Sequence, residues 1–586
     1  MKWQRWHVVA AGAALALASA FALAKWSGSP DSAADASAAA EPLAKAPEDL
    51  LADIYVAAPN ASWTKLQRGV GGAVGILPAT LPGLLVALAD LDVSLASELD
   101  GAAPMFGVVA GDPAAPGVAF AFALKLVDAR RARGILVDGD TSRFAAQDAD
   151  GMTVLVPKGT VSRSANDNRF EIAITQNGYL LVTRAAPDLV RLGPYVTRTL
   201  PARPLPTESA AVIDVPRSAL KTMLQPKLDA LWKDGKSFLL AQDERMRAER
   251  GRAPDFGDPA AIVATLDAVL ARRSAIVGDL EKVRLALDIT DDATVLTATL
   301  SPGSDGPARV WIDAMKVGDA APVLELPAAS ALAMSMRDGD AERAEQAKEL
   351  ESAITASLGQ RLQDPTKLHE VIEAMTTARD ESVALALTVD EPTGLLVRVP
   401  VRDNAAADKA IRGLFDMTTA KPFKELLRVR EVVSSSEELP GLGKISSLLV
   451  VRDPNPKRAA DKRPTGDARA PAASAKTSPG SGVAWLTEQG VLALGAGGEP
   501  AVTLKMGARP DRKLADEPAL RRFTGAIGAD ASTIVIAQPL RIDPKRANLP
   551  TAPLGIAIGR KGSDAFVRID IADGLLREAA RWQMGF

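Results

Sequence analysis

Apolar and polar residues alternate with a period of two through many short stretches of this chain. These stretches come in neighbouring pairs separated by turn residues. The clearest pair is Ala173-Ile174-Thr175-Gln176-Asn177-Gly178-Tyr179-Leu180-Leu181-Val182, two apolar runs around a polar-glycine turn. That is the pattern of a β-hairpin, and Asn177-Gly178 suits the positive φ of a type I′ turn. Trp485-Leu486-Thr487-Glu488-Gln489-Gly490-Val491-Leu492-Ala493-Leu494 repeats it, with Gln489-Gly490 a less favourable pair at the turn.

Other landmarks also occur twice, in the same order. An apolar strand opens each set at Ala52–Val56 and at Ser330–Met334. A strand leading into a charged helix follows, Gly117–Leu126 with Asp128–Leu136, then Gly394–Val401 with Asn404–Phe415. Beyond the hairpins come Ser209–Pro216 and Ser532–Pro539. Each set closes on a further hairpin, Leu285–Ile289 with Thr294–Leu300, and Leu554–Ile558 with Ala565–Ile571. A helix follows each closing hairpin, one with Trp311 and one with Trp582. Five agreements in constant order predict an internal duplication.

The copies differ in their insertions. The first gains helices between about 221 and 281, where Leu224, Leu228, Leu231 and Trp232, then Val263, Leu266, Val269 and Leu270, recur at helical spacing. The second carries a loop from about 453 to 481 in which Lys457, Arg458, Lys462, Arg463, Arg469 and Lys476 stand among Pro, Ala, Ser and Gly. That composition predicts a disordered basic loop. Adjacent hairpins imply a mostly antiparallel sheet with one face buried, and amphipathic helices must cover it. The expected fold is α+β: two tandem diverged copies of a helix-covered sheet, one lobe over 49–320 and the other over 321–586.

The amino terminus changes the picture of where the chain resides. Lys2 and Arg5 precede an unbroken apolar run, Val8–Ala24, that ends in the small-x-small sequence Ala22-Leu23-Ala24. This predicts a signal peptide over 1–24, or an N-terminal membrane anchor, with a periplasmic or otherwise extracytoplasmic body behind it. Residues 25–48, rich in Ser, Ala, Pro and Asp, read as a flexible tether. With no cysteine the chain has no thiol chemistry and no cysteine-bound metal. Its 69 basic and 72 acidic residues, net −3, give no field that favours nucleic acid. The bias toward Ala, Arg and Asp points to a bacterial protein.

Candidate chemistry is sparse. Once a signal is removed, His369 is the single imidazole, on a predicted helix over Pro365–Ala378. A Ser-His-Asp triad would have to use it, and no G-x-S-x-G elbow is present. Asp291-Asp292 and Asp138 with Asp140 could work as carboxylate pairs, but they fall where turns favour aspartate. The glycine-rich run Gly69–Gly75 resembles a phosphate loop without its Lys-Ser/Thr ending. Asp255-Phe256-Gly257 lacks the other kinase elements, and Asp148-Ala149-Asp150-Gly151 lacks the distal glutamate of a calcium loop. No catalytic, cofactor or metal residue is therefore assigned, and no cofactor is expected.

The remaining feature is apolar. Gly75–Leu85, broken by Pro78 and Pro82, could be a flap or patch, but more simply a short helix buried on the first copy. Three functions stay open. The first is a non-enzymatic envelope protein that binds or scaffolds a protein partner. The others are a carrier of an apolar or lipid ligand, and a carboxylate-dependent hydrolase.

Overall fold

The computed structural model describes residues 43–584, apart from 72–73, 75–76, 90, 112–116, 139–141, 150, 159–169, 207, 251–258, 359–363, 390–392, 420–428, 453–480 and 543–550. The expected signal or anchor, most of the tether and the basic loop lie outside the described residues. The chain forms two compact units that interleave along the sequence. One comprises the chain to Pro226 with Val277–Arg309 and Asp564–Phe586; the other comprises Lys227–Ile276 and Val310–Ser563.

In the first unit the strands along the chain are β1 (Leu50–Val56), β2 (Met105–Gly111), β3 (Val118–Lys125), β4 (Phe144–Ala149) and β5 (Met152–Pro157). Then come β6 (Glu171–Thr175), β7 (Tyr179–Thr183), β8 (Ala211–Pro216), β9 (Leu280–Ile289) and β10 (Ala293–Pro302). All pairings are antiparallel, and the spatial order is β4-β5-β6-β7-β3-β2-β1-β8-β9-β10. The last strand of the chain, β20 (Asp564–Ala572), lies along β10 from Ala293↔Ala572 to Leu300↔Ala565.

The second unit holds β11 (Ser330–Arg337), β12 (Ser382–Thr388), β13 (Gly394–Pro400), β14 (Val429–Leu439) and β15 (Gly443–Arg452). They are followed by β16 (Ser481–Glu488), β17 (Val491–Gly497), β18 (Ala531–Ala537) and β19 (Leu554–Lys561). Their spatial order is β14-β15-β16-β17-β13-β12-β11-β18-β19, again antiparallel throughout. Each place is held by a strand numbered ten above its counterpart in the first unit.

The sheet of the first unit is buried on both faces over its centre, not on one as the alternation predicts. Strand β3 shows how. Ala119, Ala121 and Ala123 share one face, and their small side chains admit the helical segment 186–200, which inserts Leu189, Leu192, Tyr195 and Val196. Phe120 and Phe122 fill the opposite face, with ring centroids 5.6 Å apart. Leu95 and Leu136, from short helical turns, and Leu99 and Leu126, paired in an isolated β-bridge, extend the core on that side. In the second unit the helices Pro365–Ala378 and Asn404–Thr419 bring Ala378, Ala407 and Ile411 onto Val399 and Trp485, and the helix Pro500–Ala508 brings Leu504 onto Ala484 and Ala493. The mixed α+β class expected from the sequence is the one observed.

Turn geometry departs from expectation in an instructive way. Gln489 has φ 51° and Gly490 φ 75°, so the Gln-Gly turn is the two-residue hairpin loop, with Glu488 opposite Val491. In the Asn-Gly turn only Gly178 is left-handed, at φ 75°. Asn177 is held otherwise: its Nδ2 donates to Thr197 O (2.8 Å) and its Oδ1 accepts from Thr175 Oγ1 (2.6 Å). The loop becomes three residues long, and Ile174 pairs with Leu180. Tertiary hydrogen bonds to Asn177 therefore override its turn preference.

Helices occupy Gln225–Arg250 and Pro259–Asp279, where the sequence predicts helical additions. Trp232 Nε1 donates to Asp267 Oδ1 (2.6 Å), Lys236 pairs with the same carboxylate, and Ser274 Oγ donates to Asp229 Oδ1 (2.6 Å). The two helices thus run antiparallel. Arg272 fastens the second of them to the helix Asp340–Leu358 through Glu345 (2.9 Å) and Glu349 (3.0 Å).

Candidate functional site

The residues weighed in the sequence are dispersed. His369 is exposed on its helix, with Nδ1 2.9 Å from Glu351 Oε2. That hydrogen bond holds its pKa above the ordinary imidazole value. Asp291 and Asp292 form the β9–β10 turn, where Thr290 Oγ1 donates to Asp292 Oδ1 (2.9 Å). Asp138 ends a helical turn, and Asp140 lies outside the described residues, as do Asp150 and Asp255-Phe256-Gly257. Asp148 on β4 accepts from Thr153 Oγ1 (2.8 Å) across the hairpin.

The first glycine of the run has a packing reason, while Gly72 and Gly75 lie outside the described residues. Gly69 lies within the helix Pro59–Val70, and a Cβ there would meet the Asp573 carboxylate at 2.8–2.9 Å. An acid seated on that glycine would repel a phosphate. The apolar segment after it forms the helix Leu81–Leu88, capped by Thr80 Oγ1, which accepts from Gly83 N (3.1 Å). Leu81 packs with Trp63, Leu66, Leu287 and Ile289, so the segment is core on this side, while Leu77 and Leu88 remain exposed.

The residues the structure does bring together are others. Asp53 on β1 stands opposite Asp214 on β8, which stands opposite Arg284 on β9. Asp214 accepts two bonds from Arg284, at 2.8 and 2.9 Å, and pairs with Lys282 Nζ at 2.9 Å. Asp53 Oδ2 accepts from the Tyr195 hydroxyl (3.0 Å) and from Arg203 Nη1 (2.8 Å), while Arg203 Nη2 donates to the Tyr195 oxygen (2.7 Å). Asp53 Oδ1 is buried and accepts no hydrogen bond.

Two neighbouring carboxyls are thereby driven apart. Burial pushes Asp53 above the usual carboxylate range, outweighing its bonds to Tyr195 and Arg203. Burial acts on Asp214 too, but the bonds from Arg284 and Lys282 prevail and hold it low. Burial and the nearby Asp53 charge push the Tyr195 phenol far up, so it stays a hydrogen-bond donor at all working pH values. Divergent carboxyls are the arrangement of acid and base in several hydrolases. Here, however, the oxygens of Asp214 are occupied by cations, and Asp53 is bridged by a phenol. The set ties three strands to the helical cover. A small hollow lined by Pro59, Leu85, Leu99, Asp100, Met105 and Lys125 lies elsewhere in the unit and has room for about one water, about 10 Å³.

The second unit has a denser ionic set. Arg343, 3% exposed, donates to Asp338 Oδ1 (3.0 Å), Asp338 O (3.2 Å), Asp340 Oδ1 (3.1 Å) and Arg379 O (3.2 Å). Arg379 takes the other Asp338 oxygen. It joins the β11 end to two helices. Among the described residues no group of three or more His, Asp or Glu side chains is placed to hold a metal ion. No described helix is long and apolar enough to cross a membrane.

No protein-family model matches the chain, and no curated protein sequence does. Two solved structures, crystal forms III and I of TP0453, are similar over 44% of this chain and 96% of theirs, each at 9% identity. Their TM-scores, 0.21 and 0.19, are too low to bear on what the chain does.

Proposed function

We propose that the chain is a non-enzymatic extracytoplasmic binding or scaffold module built from two diverged copies of one α+β unit. The supporting observation is the strand order, in which β1–β9 and β11–β19 occupy equivalent places. Antiparallel sheets can be ordered in many ways, and two unrelated sheets of this size seldom coincide throughout. On this reading the copies span 49–320 and 321–586, the helices near 221–281 are an addition to the first, and 453–481 is an addition to the second. The charged sets around Asp53 and Arg343 then act as fasteners of the two frameworks. The amino-terminal segment supplies export or anchoring.

The experiment is purification of the native protein from an envelope fraction, with mass spectrometry of its amino-terminal peptide and of co-purifying molecules. Recovery in the envelope with a protein partner is the expected result. Recovery in the cytosol would contradict the localisation. Stoichiometric lipid would favour the carrier reading instead. The hydrolase reading draws on the divergent Asp53 and Asp214 pair, and would need a hydrolytic activity lost in both Asp53→Asn and Asp214→Asn.

A further inference from the structure

The antiparallel helical pair within 227–276 buries one side and leaves another bare. Trp232, Lys236 and Asp229 face the second helix, where Asp267 and Ser274 receive them. At about 100° per residue, Leu228, Leu231, Phe238 and Leu239 centre on a stripe a quarter-turn around the first helix from that contact. Leu266 and Leu270 occupy the same side of the second helix. All six are exposed, Leu231 by 69% and Phe238 by 68%. They give the helical hairpin an exposed apolar side, set apart from the side that carries its polar contacts.

We propose that this face docks against the same face of a second copy of the chain, closing a four-helix bundle about a twofold axis. Two arguments select this occupant. The first is charge. Among the described side chains of residues 227–276, six are Lys or Arg and four are Asp or Glu, with both signs interspersed. An anionic lipid surface calls for a strongly basic polar face, and a basic or acidic partner for the opposite bias. A mixed-sign rim around an apolar stripe is complementary to itself when inverted by a twofold. The second is area. Six such side chains present roughly 500 Å² per hairpin, at the upper end for a monomer's largest patch. Two faces opposed remove roughly 1,000 Å², the lower bound of a specific interface. Antiparallel helix pairs that share an apolar side pack in this way in four-helix bundles. The inference stands on the hairpin alone and holds whichever compartment the chain occupies.

The absence of cysteine makes the test clean. The full chain should sediment at twice its own mass, and a Phe238→Cys variant should form a disulfide-linked dimer under mild oxidant. A Leu350→Cys variant, also well exposed on the helix Asp340–Leu358 (54% against 68% for Phe238), should not. The double variant Leu231→Asp/Phe238→Asp should keep its circular dichroism, since both residues are exposed, and weaken dimerisation by about 100-fold or more. A chain that stays monomeric at about 100 µM would overturn the proposal. So would a dimer untouched by the aspartates, or equal cross-linking at 350. Partition onto phosphatidylcholine–phosphatidylglycerol vesicles that shields Phe238→Cys from a soluble maleimide would replace the second copy by a lipid surface.

Discussion

Replacing Tyr195 by phenylalanine removes one oxygen and leaves the ring. The side chain is 1% exposed in the core of the first unit, so its packing is preserved and the change isolates the hydroxyl. That hydroxyl donates to Asp53 Oδ2 and accepts from Arg203. A hydrogen bond to a charged group contributes about 1.5–3 kcal/mol. Arg203 is 46% exposed, so its ion pair with Asp53 makes up less than about 1 kcal/mol of the loss. Asp53 Oδ1 has no partner to compensate. The expected cost is about 2 kcal/mol, which lowers the melting of a unit of this size by about 4–8 °C. Hydrogen-exchange mass spectrometry over a temperature ramp reads the two units separately: peptides covering β1 and 186–206 should open earlier, and peptides covering β11–β13 should not change. The penalty also depends on pH. Because burial already raises the Asp53 carboxyl above 3.8, its ionised form is the destabilised one. The cost is therefore complete above its folded pKa and fades as pH falls through it. A shift below about 1 °C at neutral pH, or an equal shift in both units, would refute the reasoning.

Three further outcomes follow from the same contacts. Arg343→Met should destabilise the second unit by about 3 kcal/mol, because Asp338 and Asp340 lose a partner that is itself buried; accelerated exchange in β11 and 340–358 measures it. Asp214 is held low, so it stabilises the fold above 3.8 and that contribution is lost as pH falls through its folded pKa. Asp214→Asn should flatten the acid limb of the first unit's stability in a pH series, with a cost at neutral pH of at most about 1 kcal/mol since Arg284 and Lys282 are partly exposed. Trp485→Phe should cost about 2 kcal/mol in urea unfolding of the second unit, from the lost bond to Asp408 (3.0 Å) and the smaller ring beside Phe415.

What the chain pattern reveals and what it conceals divide along sequence separation. The strands β3, β6–β10, β13 and β16–β20 fall where alternation and turn residues predict strands, because both signals are local. β2 reads as a continuous apolar run, Met105-Phe106-Gly107-Val108-Val109-Ala110, since both its faces are buried, and it gives no period to detect. β14 passes unnoticed for another reason: Ser434-Ser435-Ser436 and their neighbours are exposed and carry little apolar contrast, while β15, with Ile445 and Leu448 buried, ends in an apolar run, Leu448-Leu449-Val450-Val451, that like β2 has no period of two. The Asp53 set leaves no local mark at all, because Tyr195 and Arg203 lie 142 and 150 residues away. The hairpin at Asn177 shows the converse, a strong local signal overruled by a bond from its side chain to Thr197.

An experimental structure of residues 43–586 gives the most direct test, through superposition of residues 50–289 on 330–561. The account predicts that β1–β9 overlay β11–β19 in the same order and direction, with the β6–β7 and β16–β17 pairings offset by one residue at their turns. Strands that overlay in any other order would contradict it.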